Sequence, residues 1–334
     1  MNSDAWRPVI LIPSLEPDDR LPAYVEKLQS QGFEDIVVVD DGSGPSFRPV
    51  FDRIAAREGC HVLRHEVNRG KGAGLRTGYA FIEKELPACT AVITADADGQ
   101  HTVEDCARLS EALRQGENAL YLGSRAFSLE NVPPKSRFGN RCTSTVFKLL
   151  YGQWLPDTQT GLRAFRREEL GFMQGVEGDR YEYEMNVLIA CARRKLPMIP
   201  VTIETVYENG NEGSHFHPIR DSWRIYKVIL GSFLRFMGVS LICFVLDQGL
   251  AAVLRNWLLP AAGIAALSVK NIQFSGYGAR LVSSVVNFCL NRRLVFRSQG
   301  KAHGQMLRYA VLCVAIITLS NWGVQALLAV GMAP

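Results

Sequence analysis

The sequence predicts an α/β domain built on a mostly parallel sheet over residues 1–226, followed by an α-helical membrane region over residues 227–334. Short apolar runs alternate with charged segments of ten or more residues up to Tyr226, which is the signature of βαβ units. Aspartate- and glycine-rich junctions close several of those runs. Beyond Leu230 the apolar stretches lengthen and are punctuated by arginine. A chain of 334 residues with 47% hydrophobic content holds one large domain or two smaller ones with a substantial core. A formal net charge of +4, without a basic stripe interleaved with aromatics, excludes a nucleic-acid surface. Eight cysteines scattered along the chain, with no C-x-x-C pair and no Cys/His cluster of metal-ligand spacing, argue against a disulfide or zinc framework.

Taken in order, residues 8–13 (Pro-Val-Ile-Leu-Ile-Pro) form a first buried strand, and a helix is expected from Asp18 to Gly32. A second strand, 36–39, is closed by Asp40-Asp41-Gly42-Ser43. Asp40 and Asp41 suit hydrogen bonds from a base or ribose, or equally a local Asx-turn. A third strand, Cys60–Arg64, leads into Asn68-Arg69-Gly70-Lys71-Gly72-Ala73-Gly74 and a helix to Glu85. These glycines follow the third strand instead of the first, so the dinucleotide fingerprint fails, and Lys71 is followed by glycine, so the P-loop fails too. What remains is a lysine and backbone amides near the top of the sheet, within reach of a nucleotide or an anion.

The fourth strand, Ala91-Val92-Ile93, delivers Thr94-Ala95-Asp96-Ala97-Asp98-Gly99-Gln100-His101 to the sheet end where open α/β domains bind ligands. Asp96, Asp98 and the Gln100 amide are hard oxygen ligands suited to Mg²⁺ or Mn²⁺, able to neutralise a departing diphosphate. The competing reading is an Asp-rich turn that caps the helix beginning near Thr102. A fifth strand is expected over 119–122.

The ordered set formed by residues 9–13, Val38-Val39-Asp40-Asp41-Gly42-Ser43, Asn68 with Gly70-Lys71-Gly72, and Asp96-Ala97-Asp98-Gly99-Gln100 resembles a family 2 glycosyltransferase of GT-A fold. More narrowly it resembles the polyprenyl-phosphate glycosyltransferases related to dolichyl-phosphate mannose synthase. Gly123-Ser124-Arg125, the stretch 157–165 containing Asp157, Gln159, Thr160 and Arg163, and Tyr181-Glu182-Tyr183-Glu184 extend the resemblance over nearly all of residues 7–226. Many relatives carry Asn-Glu after the first strand, where this chain has Glu16-Pro17.

The resemblance implies an inverting transfer from a nucleotide diphosphate sugar, with GDP-mannose, UDP-glucose or UDP-N-acetylglucosamine as candidate donors, to a polyprenyl phosphate. It places Pro13, Asp40, Asp41, Lys71 and Asp96 at the nucleotide sugar, and Asp96, Asp98 and Gln100 on Mg²⁺ or Mn²⁺. Asp98, Arg125 and Arg163 are the expected catalytic residues. Arg125, Arg137, His217 and Arg220 are expected to meet the acceptor phosphate, Arg being suited to bidentate contact. A lipid phosphate with its second pKa near 6 is largely ionised at neutral pH and needs no general base.

In the second region a span is expected over 236–254 if Asp247 and Gln248 are tolerated, a second within 258–290 and a third over 309–330. Arg292, Arg293, Arg297, Lys301 and Arg308 lie between the second and third spans, so the positive-inside rule puts that loop and the first domain in the cytoplasm. Residues 1–6 lack the pattern of a cleaved signal. Residues 284–296 resemble the GtrA-like membrane domain, whose relatives have four helices; about three are expected here, the last hairpin being truncated or incomplete, with partner chains such as a further copy covering the exposed face. Two alternatives stand beside this reading. A family 2 transferase acting on another membrane-associated acceptor should carry a Q-x-x-R-W motif, which is missing from the sequence; a non-catalytic protein that binds or flips lipid-linked sugar would not need the aspartate motif.

Overall fold

The computed structural model describes residues 6–125, 134–204, 218–265, 269–295, 303–307 and 309–314. The chain divides into two compact units, Met1–Ile229 and Leu230–Pro334.

The first unit carries a seven-stranded sheet in the order β3-β2-β1-β4-β6-β5-β7. Its strands are β1 (Pro8–Ser14), β2 (Asp35–Asp40), β3 (Cys60–Arg64), β4 (Ala91–Thr94), β5 (Leu120–Arg125), β6 (Arg163–Arg166) and β7 (Met198–Ile203). Between them run α1 (Arg20–Ser30), α2 (Arg48–Ala55), α3 (Lys71–Glu85), α4 (Val103–Gln115), α5 (Pro134–Tyr151), α6 (Leu170–Gln174) and α7 (Glu182–Arg194). All pairings are parallel except those of β6, which runs antiparallel between β4 and β5. The sheet is thus mostly parallel, as the sequence predicts. Strand β5 reaches Arg125, three residues past the expected end.

Because side chains alternate along a strand, each strand supplies both faces of the sheet. Val9, Leu11, Val37, Val39 and Val92 pack with Leu75, Tyr79 and Ile82 of α3 and with Tyr183 and Leu188 of α7. Ile10, Ile12, Ile36, Val38 and Ile93 pack on the other face with Leu21, Val25 and Leu28 of α1, Phe51 and Ile54 of α2, and Cys106 and Leu109 of α4. Each such side chain contributes about 1.5–3 kcal/mol when fully buried, so the two layers hold the strand ends in fixed register. The strand order reverses between β1 and β4, which opens a crevice at their carboxyl ends.

After β7, α8 (Pro218–Val253) continues through a π-helical turn, Leu254–Leu258, into α9 (Leu259–Ala261); α10 (Val269–Leu290) and a second π turn, Asn291–Val295, follow. Among the described residues, Phe233–Ala261 is the one helix long and apolar enough to cross a membrane. Its 29 residues extend roughly 43 Å, more than a bilayer's apolar core. Asp247, the acidic residue inside it, accepts a hydrogen bond from Ser283 Oγ of α10 at 2.9 Å. Of the expected third span, residues 309–314 are helical and the remainder lies outside the described residues.

Candidate active site at the carboxyl edge of the sheet

The acidic motif leaves β4 at the strand-order reversal. Thr102, not either aspartate, caps α4: its Oγ accepts from Asp105 N–H at 3.1 Å. The capping alternative for Asp96 and Asp98 therefore falls away. Gly99 turns the chain at φ +76°, and Asp98 Oδ1 takes the Gln100 N–H at 3.0 Å. Asp96 is fixed from three sides. Its N–H donates to His101 Nδ1 at 3.2 Å, and its Oδ1 accepts from Lys71 Nζ at 2.6 Å. On the third side the Gly161 backbone presses so close that a Cβ there would lie 2.5 Å from Asp96 Oδ2.

Lys71 opens α3 and also reaches Glu184 Oε1, at 2.9 Å, in the first turn of α7. The glycine run exists for this meeting. A Cβ on Gly72 would lie 2.5 Å from Tyr183 Cβ and 2.7 Å from Gly178 O, so only glycine lets α3 approach the chain leading into α7. The amides around it are already used, Arg69 and Gly70 N–H by Asp41 and Ala73 N–H by Asp179 O. Those amides of the expected anion cradle are therefore committed within the fold, while the lysine head reaches the acidic motif.

Burial pushes the Asp96 carboxyl up, but Lys71 and His101 outweigh it and hold Asp96 down at about 2. Burial, reinforced by the Asp96 charge, raises Asp98. Burial disfavours the Lys71 charge, yet Asp96 and Glu184 together raise its pKa above the usual lysine range. The two carboxylates are thus driven in opposite directions, Asp96 by its cation and Asp98 by burial and its acidic neighbour. Among the described residues no group of three or more His, Cys, Asp or Glu side chains is disposed to hold a metal unaided. The donors present, two carboxylates and an amide oxygen, are of the hard type that Mg²⁺ or Mn²⁺ takes together with phosphate oxygens of a substrate.

The remaining expected residues divide. Asp40 is buried, and its Oδ1 takes Ser43 N–H at 2.8 Å, the local turn. Asp41 is wired inward: Oδ1 accepts from His65 Nδ1–H at 2.7 Å and Arg69 N–H at 3.0 Å, and Oδ2 from Gly70 N–H at 2.7 Å. His65 Nε2 then accepts from the Thr77 hydroxyl at 2.9 Å. Asp41 in this state anchors the glycine loop instead of offering a carboxylate to a base. Pro13 is buried within β1, in register with Val39, and shapes the crevice floor. The loop after it is tied by Glu16 N–H to Ser43 Oγ at 2.8 Å, a backbone contact that the Glu16-Pro17 departure preserves.

Two of the expected arginines are engaged within the fold. Arg125 spends its fork on Asp157, Nε to Oδ2 at 2.6 Å and a terminal nitrogen to Oδ1 at 3.1 Å, with Asp157 fully enclosed. It thereby ties the end of β5 to the loop 157–162. Arg163 is 5% exposed and grips backbone on both sides, Nε to Thr160 O at 3.0 Å and one terminal nitrogen to Glu184 O at 2.8 Å. Its other terminal nitrogen is buried without a hydrogen-bond partner. Both position the site's walls. Arg137 falls on α5 and Arg220 on α8, with side chains outside the described residues, and His217 lies outside them altogether.

Residues that sequence reasoning left without a role are Glu184, His101 and Ser14. Ser14, at the end of β1 beside Asp40, has a buried hydroxyl with no partner at the strand-order reversal. No spacing signal marks it. Glu184 did lie in a recognised motif, but its approach to Lys71 depends on tertiary packing.

Comparison with known proteins follows the division of the chain. The model of glycosyl transferase family 2 matches residues 9–171, and that of the GtrA/DPMS transmembrane domain matches residues 264–334. An uncharacterized protein of Methanocaldococcus jannaschii is 32% identical over 225 residues, 66% of this chain and 90% of that protein. The UDP-N-acetylglucosamine–dolichyl-phosphate N-acetylglucosaminyltransferase of Methanococcus voltae is 29% identical over 215 residues, 59% of this chain and 85% of its own. Among solved structures, the glucosyl-3-phosphoglycerate synthase of Mycobacterium tuberculosis, crystallised with Mn²⁺, UDP and glucosyl-3-phosphoglycerate, superposes with a TM-score of 0.51 at 14% identity. That match covers 68% of this chain and 80% of the synthase and establishes a common GT-A fold.

Proposed function

The chain belongs to glycosyl transferase family 2, and from that premise we propose that it transfers a sugar, with inversion, from a nucleotide diphosphate sugar to a polyprenyl phosphate. The reaction takes place at the cytoplasmic face of the cell membrane, where a multi-pass anchor matching the GtrA/DPMS domain retains the enzyme. The observation that carries this reading is the Asp96–Asp98 pair beside Lys71 at the strand-order reversal. Relatives named for dolichyl- and polyprenyl-phosphate transfer support the acceptor class.

In this mechanism Asp96 and Asp98, with the Gln100 amide, would hold Mg²⁺ or Mn²⁺. When bound, the ion supplies positive charge to the diphosphate leaving group. Lys71 adds a mobile charge on the same side. His101 and the Gly161 backbone fix the Asp96 rotamer, so the charge is in place before reaction and costs no reorganisation. Asp40 and the Ser14 hydroxyl face the nucleoside end of the crevice, and Asp41 holds the loop that carries Lys71. Arg125 and Arg163 shape the acceptor wall through Asp157 and Glu184, while Arg137, His217 and Arg220 are assigned to the lipid phosphate. The acceptor oxygen is already ionised, so no side chain needs to remove a proton from it.

The test is a donor panel. Full-length protein in detergent is given a polyprenyl phosphate, Mn²⁺ and labelled GDP-mannose, UDP-glucose or UDP-N-acetylglucosamine. One donor is expected to give a lipid-linked product that Asp98→Ala abolishes. A lack of product with every donor, or product that survives Asp98→Ala unchanged, defeats the proposal.

A further inference from the structure

Lys71 Nζ lies 2.6 Å from Asp96 Oδ1 and 2.9 Å from Glu184 Oε1, with only 18% of its side chain exposed. Its backbone cannot follow it: Gly70 N–H is held by Asp41 Oδ2 at 2.7 Å, and Ala73 N–H by Asp179 O at 2.9 Å. A fixed base carrying a flexible four-carbon stem is the arrangement of a head that swings between partners. The carboxylate it occupies is the one that would hold a divalent ion. An ammonium and a dication on one carboxylate repel each other strongly where burial lowers screening. Glu184 matters here because it holds the lysine from a second side and can keep it when Asp96 lets go.

We propose that Lys71 is a tethered counter-ion that closes the metal site until the donor arrives. The phosphates of the nucleotide draw the ammonium off Asp96, Glu184 retains it within reach, and the released carboxylate then accepts the ion together with the diphosphate. Metal and nucleotide consequently bind as a coupled pair, and this side chain adds to the coupling that shared phosphate oxygens already supply. Lysine is suited to the exchange because it meets phosphate as a point charge and has no fixed fork to align. The inference rests on the metal reading given above, adding to it the order and the cause of loading.

Mn²⁺ binding to the full-length protein in detergent, followed by electron paramagnetic resonance with and without UDP or GDP, tests it apart from turnover. In the wild type, nucleotide should tighten Mn²⁺ binding by a factor in the 5- to 150-fold range typical of coupled sites, and Mn²⁺ should tighten nucleotide binding by the same factor. Lys71→Met should bind Mn²⁺ at least about tenfold more tightly than wild type without nucleotide and show a smaller coupling than wild type. Glu184→Gln, which leaves Lys71 with Asp96 alone, should weaken nucleotide-free Mn²⁺ binding further. Equal Mn²⁺ affinity in wild type, Lys71→Met and Glu184→Gln, with Asp98→Asn still abolishing it, overturns the counter-ion role and leaves the metal site standing. No Mn²⁺ binding by any form, with either nucleotide, removes the metal reading and this inference together.

Discussion

Two acidic strand ends lie close together on the same edge of the sheet, one closing β2 with Asp40 and Asp41, the other following β4 with Asp96 and Asp98. They share residue type and topological position, yet the chain treats them in opposite ways. Asp41 is surrounded by donors, two backbone amides and an imidazole, so its charge is neutralised within the fold. Asp98 receives one amide and faces a second carboxylate, so burial and like charge leave its negative charge poorly compensated. A carboxylate that has been given all its donors is part of the scaffold; one left short of them is poised for a ligand.

The same substitution at both ends breaks the comparison most severely if it is wrong. Asp98→Asn should reduce turnover on the order of 10³-fold, the scale of losing a central electrostatic group, while the melting temperature in detergent changes little. Asp41→Asn should do the reverse. An amide keeps one acceptor and turns donors toward donors, so roughly 2 kcal/mol of stability should be lost, read as a lower melting temperature, with a smaller loss of turnover. Equal effects at the two positions would refute the distinction. A smaller change sharpens it: Gly161→Ala adds a methyl where Asp96 Oδ2 lies within 2.5 Å, so the carboxylate must rotate away. Roughly tenfold weaker Mn²⁺ binding in the presence of nucleotide is expected, with folding close to wild type, since small misplacements at a site are costly in function.

Much of this architecture could be read from the chain before any coordinates. Strand β3 and the end of α3 fall where the apolar runs and glycine junctions put them, and Thr102 announces α4 because a hydroxyl before acidic residues satisfies free amides. Strand β6 escaped notice, since Arg163-Ala164-Phe165-Arg166 is only four residues long and ends in arginines that ordinarily seek solvent. Strand β7 contains Pro200, which a sheet tolerates at an edge such as this one. At the site, the acidic motif and Lys71 were legible as chemistry, whereas the uses of Arg125 and Arg163 were not. An arginine in a motif looks the same whether its fork meets a phosphate or a buried Asp157, and only tertiary structure supplies Asp157.

The reversed strand also has a mechanical consequence. Because β6 is stitched on both sides, Thr94 facing Arg163 across one seam and Leu122 facing it across the other, the segment that overhangs Asp96 is clamped like a tongue between two boards. Lengthening or shortening the stretch just before Arg163 therefore cannot be absorbed by sliding. It must be taken up by the overhang itself, so the length of that stretch sets how the Gly161 backbone bears on Asp96.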